Sequence, residues 1–595
     1  MPLHLHRRPF SIVLLASAVV ACGSGTADGD PGTPAIGVVV QPPTATVPVS
    51  GVTSFTATVT SSVDTSVAWS VEPAGCGSVT QSGSYAAPST TGTCIVRATS
   101  RADPTRSGNA TVTVTAIVEP PPDPISPSVR VQLAPQAGVS GRQRVNFALP
   151  MPPGHLQDAT LIRIAAVPGS GAELPAARRI LARWPDGSIR SVQIQVDVDV
   201  SSSTALDMEV GTATTAGSLA LVDVADTLAV ADGTDGPRVW AVLPSKWLAS
   251  SQAAGPVVEQ STIAGTPLDA WGGVCDYAMW DIDAFLAQAA GREAWLFDRP
   301  AAMYLGYAMT GARVALESGY REAAMYRAGI TGTGSATRIG VPTATDDLKY
   351  HYTQGLAIHY LLTGDDRFRE AAEDVAIRAH DLWPSPGYAG GADFWTERHA
   401  GFALLAYEWA AAISDDRAST FAPWADEAVA SYLAMQAVSA SAWEPDARCF
   451  AHSADAHGEN YGYVGCSPWM SAILADGLDT YARRVGDSGA TAARRGLVLL
   501  GQMIARHGRD AVGRPYYWMG AGVAAAEADP YDEHWGESAY VVALAWHWSG
   551  RSDAGLRTAA MDLIDGLRTR GEAGQLRSFN WQCRSAPMAA YFLRQ

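Results

Sequence analysis

The spacing of hydrophobic and polar residues changes near residue 265. Before it, apolar positions alternate with polar ones in short runs. Phe55, Ala57 and Val59 interleave with threonine, and Val67–Val71, Cys94–Thr99 and Ala110–Val114 read the same way, as half-buried strands do. Val129–Val131, Val145–Phe147, Leu161–Ile164, Ile189–Val196 and Leu206–Val210 are further strands, divided by Gly, Pro and Asp turns. After residue 265 the period becomes helical. Apolar helices end in short turns at Thr310-Gly311, Thr363-Gly364-Asp365, Ser414-Asp415, Gly486-Asp487 and Ser549-Gly550, and Trp295–Tyr307 opens the first clear pair. Repeated helical pairs bury their faces on their neighbours, either as an open solenoid or as a closed ring.

The stretch Asp393–Ile413, DFWTERHAGFALLAYEWAAAI, shows how such a helix begins. Asp393 or Thr396 supplies an N-cap oxygen. His399, Phe402, Ala406 and Trp409 fall on one stripe. Trp395, Glu397, Arg398 and His399 lie in or just before the first turn, at the positive end of the helix dipole, a place that suits an anionic ligand.

These patterns divide the chain into a leader (1–22), a flexible tether (23–34), a β-sandwich (35–117), a Pro-rich linker (118–127), a second β domain (128–265) and a helical domain (266–595). Arg7 and Arg8 precede an apolar run, Phe10–Val20, too short to span a bilayer comfortably. Val19-Val20-Ala21-Cys22 resembles the bacterial lipobox, which implies lipidation at Cys22 and a lipid-anchored place in the cell envelope, at the outer membrane or cell surface. The run GSVTQSGSYAAPSTTGTCIVRATSRADPTRSGNATVTV resembles bacterial Ig-like domains and implies a spacer. In the second β domain, Ala182–Arg190, ARWPDGSIR, reads as a hairpin turning at Pro185-Asp186-Gly187. The longer run ARWPDGSIRSVQIQ resembles the N-terminal β domain of exo-rhamnogalacturonan lyase-like proteins. That resemblance implies a bacterial carbohydrate-active enzyme whose chemistry lies in the helical domain. The closed form of that domain, an α/α toroid, resembles many secreted enzymes acting on glycans, and it is the fold expected here.

Hydrophobic residues at 47% and charged residues at 17% mark a globular chain, and 595 residues suggest about four domains. A net charge of −17 argues against nucleic acid as a partner. Eighteen Trp and twenty Tyr suit stacking on sugar rings, as well as large helical cores. Of seven cysteines, six remain once Cys22 is set aside, an even number for an oxidising compartment. The local pairs expected are Cys76 with Cys94 and Cys449 with Cys466. Cys275 and Cys583 remain to join the ends of the helical domain.

Polar clusters interrupt the apolar helical background. Asp346–His359 places Asp347, His351, Gln354 and Gly355 on one face if it is helical throughout. His452–Tyr463, HSADAHGENYGY, precedes a helix expected to be capped by Ser467 with Pro468 at its first position. Tyr516-Tyr517-Trp518 and Asp532–Glu537 form a weaker group. The ligand spacing of a metal site is missing, and neither metal nor cofactor is expected. Two chemistries fit. β-Elimination at a uronate needs a neutralised carboxylate, a base and a proton for the leaving oxygen. His399, Arg398, His351, Asn460, Tyr461 and His457 offer that inventory, with Trp395, Glu397, Gln354, Tyr463, Trp469, Tyr517, Trp518 and Trp535 as substrate contacts. Hydrolysis needs two carboxyls across the bond, for which Glu397, Glu459, Asp532 and Glu537 are candidates. A surface lipoprotein that binds glycans without cleaving them is the third reading.

Overall fold

The computed structural model describes residues 35–49, 51–88, 90–115, 127–169, 171–343, 346–383, 396–438, 447–453, 461–571 and 575–594. A β-rich N-terminal region with several small sheets precedes a C-terminal helical region. In the first module, β1 (Thr44–Pro48), β2 (Val67–Glu72), β3 (Gly92–Ser100) and β4 (Ser107–Thr115) form a sheet in the order β1-β4-β3-β2. Alternate residues of β3 and β4, among them Cys94, Val96, Ala98, Ala110, Val112 and Val114, fill a core of their own. Cys76 and Cys94 are joined by a disulfide in that core.

Two sheets follow. One comprises β5 (Ser128–Pro135), β7 (Ile162–Val167), β10 (Ala205–Val210) and β11 (Val239–Val242) in the order β7-β10-β5-β11. The other has β9 (Ile189–Asp199) between β6 (Arg142–Pro150) and β8 (Ala176–Arg183). Strands β8 and β9 form the expected hairpin. Gly187 takes a φ of +83°, its N–H donates to the Trp184 carbonyl at 2.9 Å, and Asp186 accepts from the Ser188 N–H at 2.9 Å. β9 is buried on both faces because its second face carries the helices. There Ser191 Oγ donates to the Leu361 carbonyl at 2.6 Å and Asn146 Nδ2 to the Thr363 carbonyl at 2.8 Å. One continuous core therefore runs from Val129 to Leu593, and it also takes in Val52 and Ala86 of the first module.

The helices are α1 (Arg299–Thr310), α2 (Arg313–Ala328), α3 (Gln354–Thr363), α4 (Asp366–Leu382), α5 (Glu397–Ile413), α6 (Ala418–Val438), α7 (Ser471–His507, broken at Gly486), α8 (Trp535–Trp548), α9 (Ala554–Arg570) and α10 (Leu576–Leu593). Every residue of α3 and of α8 is buried, whereas α4 buries a stripe of Phe368, Ala371, Ala372, Glu373, Val375, Ala376 and Ala379. Wholly buried helices thus stand beside helices buried along one stripe. Helix α1 packs on α3, α3 on α5, α5 on α7, α7 on α8, α8 on α10 and α10 on α1. The α3–α4 turn needs its glycine. Gly364 has a φ of +73°, and a Cβ there would meet Gln193 Cδ at 2.5 Å. A disulfide between Cys275 and Cys583 ties the start of the helical region to α10, and another links Cys449 to Cys466. No helix among the described residues is long and apolar enough to cross a membrane.

Two helical expectations are corrected. Asp346–His359 is not one helix. Asp347 caps a short 3-10 turn, Leu348–Tyr350, and the Tyr352 N–H donates to Tyr326 Oη at 2.8 Å, so α3 starts only at Gln354. Helix α7 starts at Ser471, later than a Ser467 cap implies. Ser467 is drawn to other partners described below.

Candidate functional site

Three consecutive residues at the start of α5 point into three different polar clusters, as the roughly 100° turn between helical neighbours requires. Thr396 is the N-cap, its Oγ1 accepting from the His399 N–H at 3.4 Å. Asp393, Trp395, His457, Glu459, Asn460 and Cys22 lie outside the described residues.

His399 enters the first cluster. Its Nε2 lies 3.0 Å from Asp347 Oδ1 and its Nδ1 2.7 Å from Thr396 Oγ1. Lys349 Nζ approaches Asp347 Oδ2 at 2.6 Å. Burial works against the Asp347 charge, but hydrogen bonds from His399 and Lys349 outweigh it and hold the carboxyl well below its usual range. Burial lowers His399 and favours a neutral ring. A neutral ring that donates from Nε2 to Asp347 accepts at Nδ1, and the Thr396 hydroxyl is the donor it meets. Both nitrogens are thus committed, and His399 is placed to position its neighbours. His351 lies beside this cluster with Nδ1 3.1 Å from the Asp347 carbonyl, and burial lowers it to about 4.

Glu397 enters the second cluster and is fully buried. Its Oε2 lies 2.7 Å from His452 Nε2 and its Oε1 accepts from the Ser467 N–H at 2.7 Å. His452 is held by a two-way backbone pairing with Gly465, next to the Cys449–Cys466 bridge. Residues Gly465–Cys466 form β12, paired with β13 (Tyr516–Gly520), which pairs in turn with β14 (Ala526–Ala528). Alternation along β13 sends Trp518 and Tyr517 to opposite faces. Trp518 meets the His452 ring edge-on at 4.9 Å and stacks on Tyr461 at 5.9 Å. Ser467 Oγ donates to the Tyr517 carbonyl at 2.8 Å, which explains why it does not cap α7.

Arg398 faces the third cluster, with its guanidinium carbon 5.7 Å from the Trp469 ring. Its Nε has no hydrogen-bond partner, and it pairs with no carboxylate among the described residues. Trp469 stacks on His534 at 4.5 Å and meets Tyr517 at 5.7 Å and Trp581 edge-on at 4.3 Å. Behind this wall, His534 Nδ1 lies 3.3 Å from Glu537 Oε1, and Glu537 Oε2 has no partner among the described residues. Burial pushes Glu537 up against the opposing pull of His534. Burial lowers His534, but Glu537, Asp529 and Glu533 outweigh it and leave that imidazole raised.

The remaining residues lie apart from these clusters. Gln354 Oε1 accepts from Arg584, which also donates to Asp476 at 2.6 Å in the interior of the helices. Trp535 Nε1 donates to Asp532 at 3.1 Å, and its ring covers Gly566 of α9. Tyr463 Oη donates to Glu527 at 3.0 Å. Sequence reasoning passed over Trp581, Asp476 and Arg584; the signal available was a polar residue inside an otherwise apolar helix.

Compared with protein-family models and with curated proteins, the chain matches neither.

Proposed function

We propose that the chain is an extracytoplasmic carbohydrate-active enzyme, a polysaccharide lyase that cleaves a uronate-containing glycan by β-elimination. In this reading the helices close into an α/α toroid, the first module is an Ig-like β-sandwich spacer, and Cys22 carries a lipid anchor in the bacterial cell envelope. The packing order that returns from α10 to α1 supports the closed ring. The resemblance of ARWPDGSIRSVQIQ to exo-rhamnogalacturonan lyase-like proteins supports the substrate class.

The observation that carries the reading is Arg398. In a chain of net charge −17, this guanidinium stands without a carboxylate partner among the described residues, at a helix start and beside an aromatic wall. A uronate carboxylate bound there is neutralised, which acidifies the C5–H next to it. A base then removes that proton, the C4–C5 double bond forms, the C4–O bond breaks, and the leaving oxygen takes a proton. Tyr461, half-buried and stacked on Trp518 in the neighbouring cluster, is the proton-transfer group that this reading takes from the sequence. His399 and Glu397, whose polar atoms are already engaged, position the loop and the helix start. Tyr461→Phe keeps the ring and removes the hydroxyl, and is expected to slow turnover by about a hundredfold to ten-thousandfold with an unchanged melting temperature. Equal turnover in Tyr461→Phe removes that residue from the chemistry.

A second reading is favoured by Glu537. A buried, raised carboxyl with an unpartnered oxygen among the described residues is the form a general acid takes in a glycoside hydrolase. New reducing ends without an unsaturated product identify that case.

A further inference from the structure

The β8–β9 hairpin does more than turn. Its Trp184 and Arg190, together with Glu408 and Trp409 on α5 and Asp479 on α7, line a cavity of about 290 Å³ between the second β region and the helices. Trp409 lies twelve residues along α5 from Glu397, roughly 18 Å at 1.5 Å per residue, so this cavity is separate from the clusters at the helix starts.

Arg190 is its central group. It is only 9% exposed, and its side chain forms no hydrogen bond or ion pair among the described residues. The guanidinium carbon sits 4.5 Å from the Trp184 ring and 5.0 Å from the Trp409 ring. Burial lowers it to about 10, and among the described residues only the two indole faces, and no carboxylate, offset that burial. Trp409 Nε1 is likewise buried without a partner among the described residues. The other charges are spoken for. Arg484 Nε meets both Glu408 oxygens at 2.9 and 3.0 Å, and Arg483 Nε donates to Asp479 at 2.8 Å. Arg183, at the rim, pairs with no carboxylate among the described residues and donates to the Gly187 carbonyl at 2.8 Å.

We infer that this cavity is a binding site for a single uronic acid residue, with the carboxylate on Arg190 and the sugar ring against the indoles. A guanidinium fork matches a carboxylate bidentately, and indole faces suit the apolar face of a pyranose. Glu408 and Asp479 already accept from Arg484, Arg483 and the Trp548 indole, so the discrimination against phosphate rests on the indole faces, which a sugar ring covers and a phosphate does not. The volume, at the lower end of the ~300–1,000 Å³ of small-molecule sites, fits one ring rather than a chain. The site does not depend on the chemistry proposed for the α5 start, and nothing in it requires bond cleavage.

The test is calorimetric titration of the full chain carrying Arg398→Ala, which removes the other arginine proposed to bind uronate. The probes are D-galacturonate, D-glucuronate, D-galactose and inorganic phosphate. One equivalent of uronate is expected to bind, with galactose and phosphate at least about tenfold weaker. Adding Arg190→Met is expected to abolish the heat of uronate binding. Arg190→Lys, which keeps the charge and loses the fork, covers the case in which Met does not fold, and is expected to weaken binding by about tenfold. No uronate binding to the parent, equal binding of galactose or phosphate, or unchanged affinity in Arg190→Lys overturns the proposal.

Discussion

Replacing Glu397 separates a positioning role from a chemical one. The carboxylate is fully buried and serves two partners, His452 Nε2 at 2.7 Å and the Ser467 N–H at 2.7 Å. Those partners lie 55 and 70 residues away in sequence, so one side chain ties the start of α5 to the loop that carries Tyr461 and to the approach to α7. Glu397→Ala leaves a buried imidazole and a buried N–H facing a void. Breaking such a pair costs about 3–5 kcal/mol. Glu397→Gln keeps an acceptor for Ser467 and offers an amide donor to His452 Nε2, so only the charge assistance is lost, about 1–2 kcal/mol. Urea denaturation followed by helical circular dichroism reads both values, and turnover is measured on the same samples. The expected result is a large stability loss for Ala, a small one for Gln, and near-normal turnover for folded Gln. A Gln variant of unchanged stability that loses turnover more than about a hundredfold refutes the reasoning and makes Glu397 an acid or base.

Three further outcomes are expected. Burial lowers His351 from 6.5 to about 4, so the unfolded chain takes up its proton first as the solution is acidified. Stability from this group is present above 6.5 and is lost as the pH falls toward 4, by on the order of 3 kcal/mol, and His351→Asn should flatten that slope in urea titrations between those pH values. Glu322 and Glu408, raised by burial to about 7, act in the opposite sense and lose their contribution as the pH rises through 7, so an acid slope unchanged by His351→Asn contradicts the assignment. The Cys275–Cys583 bridge closes 308 residues, and replacing both cysteines by alanine should cost roughly 2–5 kcal/mol in thermal unfolding. Cys22→Ser should release the protein from the membrane fraction, since acyl chains would then be missing; retention after signal cleavage contradicts the lipid anchor.

The elements that could be read from the sequence were those set by local chemistry. Gly364 and Gly187 mark turns because their backbones adopt a positive φ, and Thr396 caps α5 through its own hydroxyl. The change from alternating to helical spacing likewise appears as a β-rich region followed by a helical one. What stayed hidden is tertiary. Asp347 and His399 are 52 residues apart, and no local pattern pairs them. The interruption before α3 is fixed by Tyr326, whose hydroxyl takes the Tyr352 N–H from across the fold. Trp535 is named as a substrate contact from its place in the Asp532–Glu537 group, and what the sequence does not show is that its ring lies over Gly566, where the missing Cβ leaves room for it. Arg190 stands in a run legible as a hairpin and as a family resemblance, neither of which gives its side chain a role. That it meets no carboxylate among the described residues emerges only when α5 and α7 are packed against the hairpin.

The most direct test of the central claim is incubation of the full chain with a panel of uronate-containing and neutral glycans, following ultraviolet absorbance and reducing ends together. The account predicts that a uronate glycan yields an absorbing unsaturated uronate in step with new reducing ends, and that Arg398→Ala loses both. Reducing ends without absorbance, or cleavage confined to neutral glycans, would contradict it.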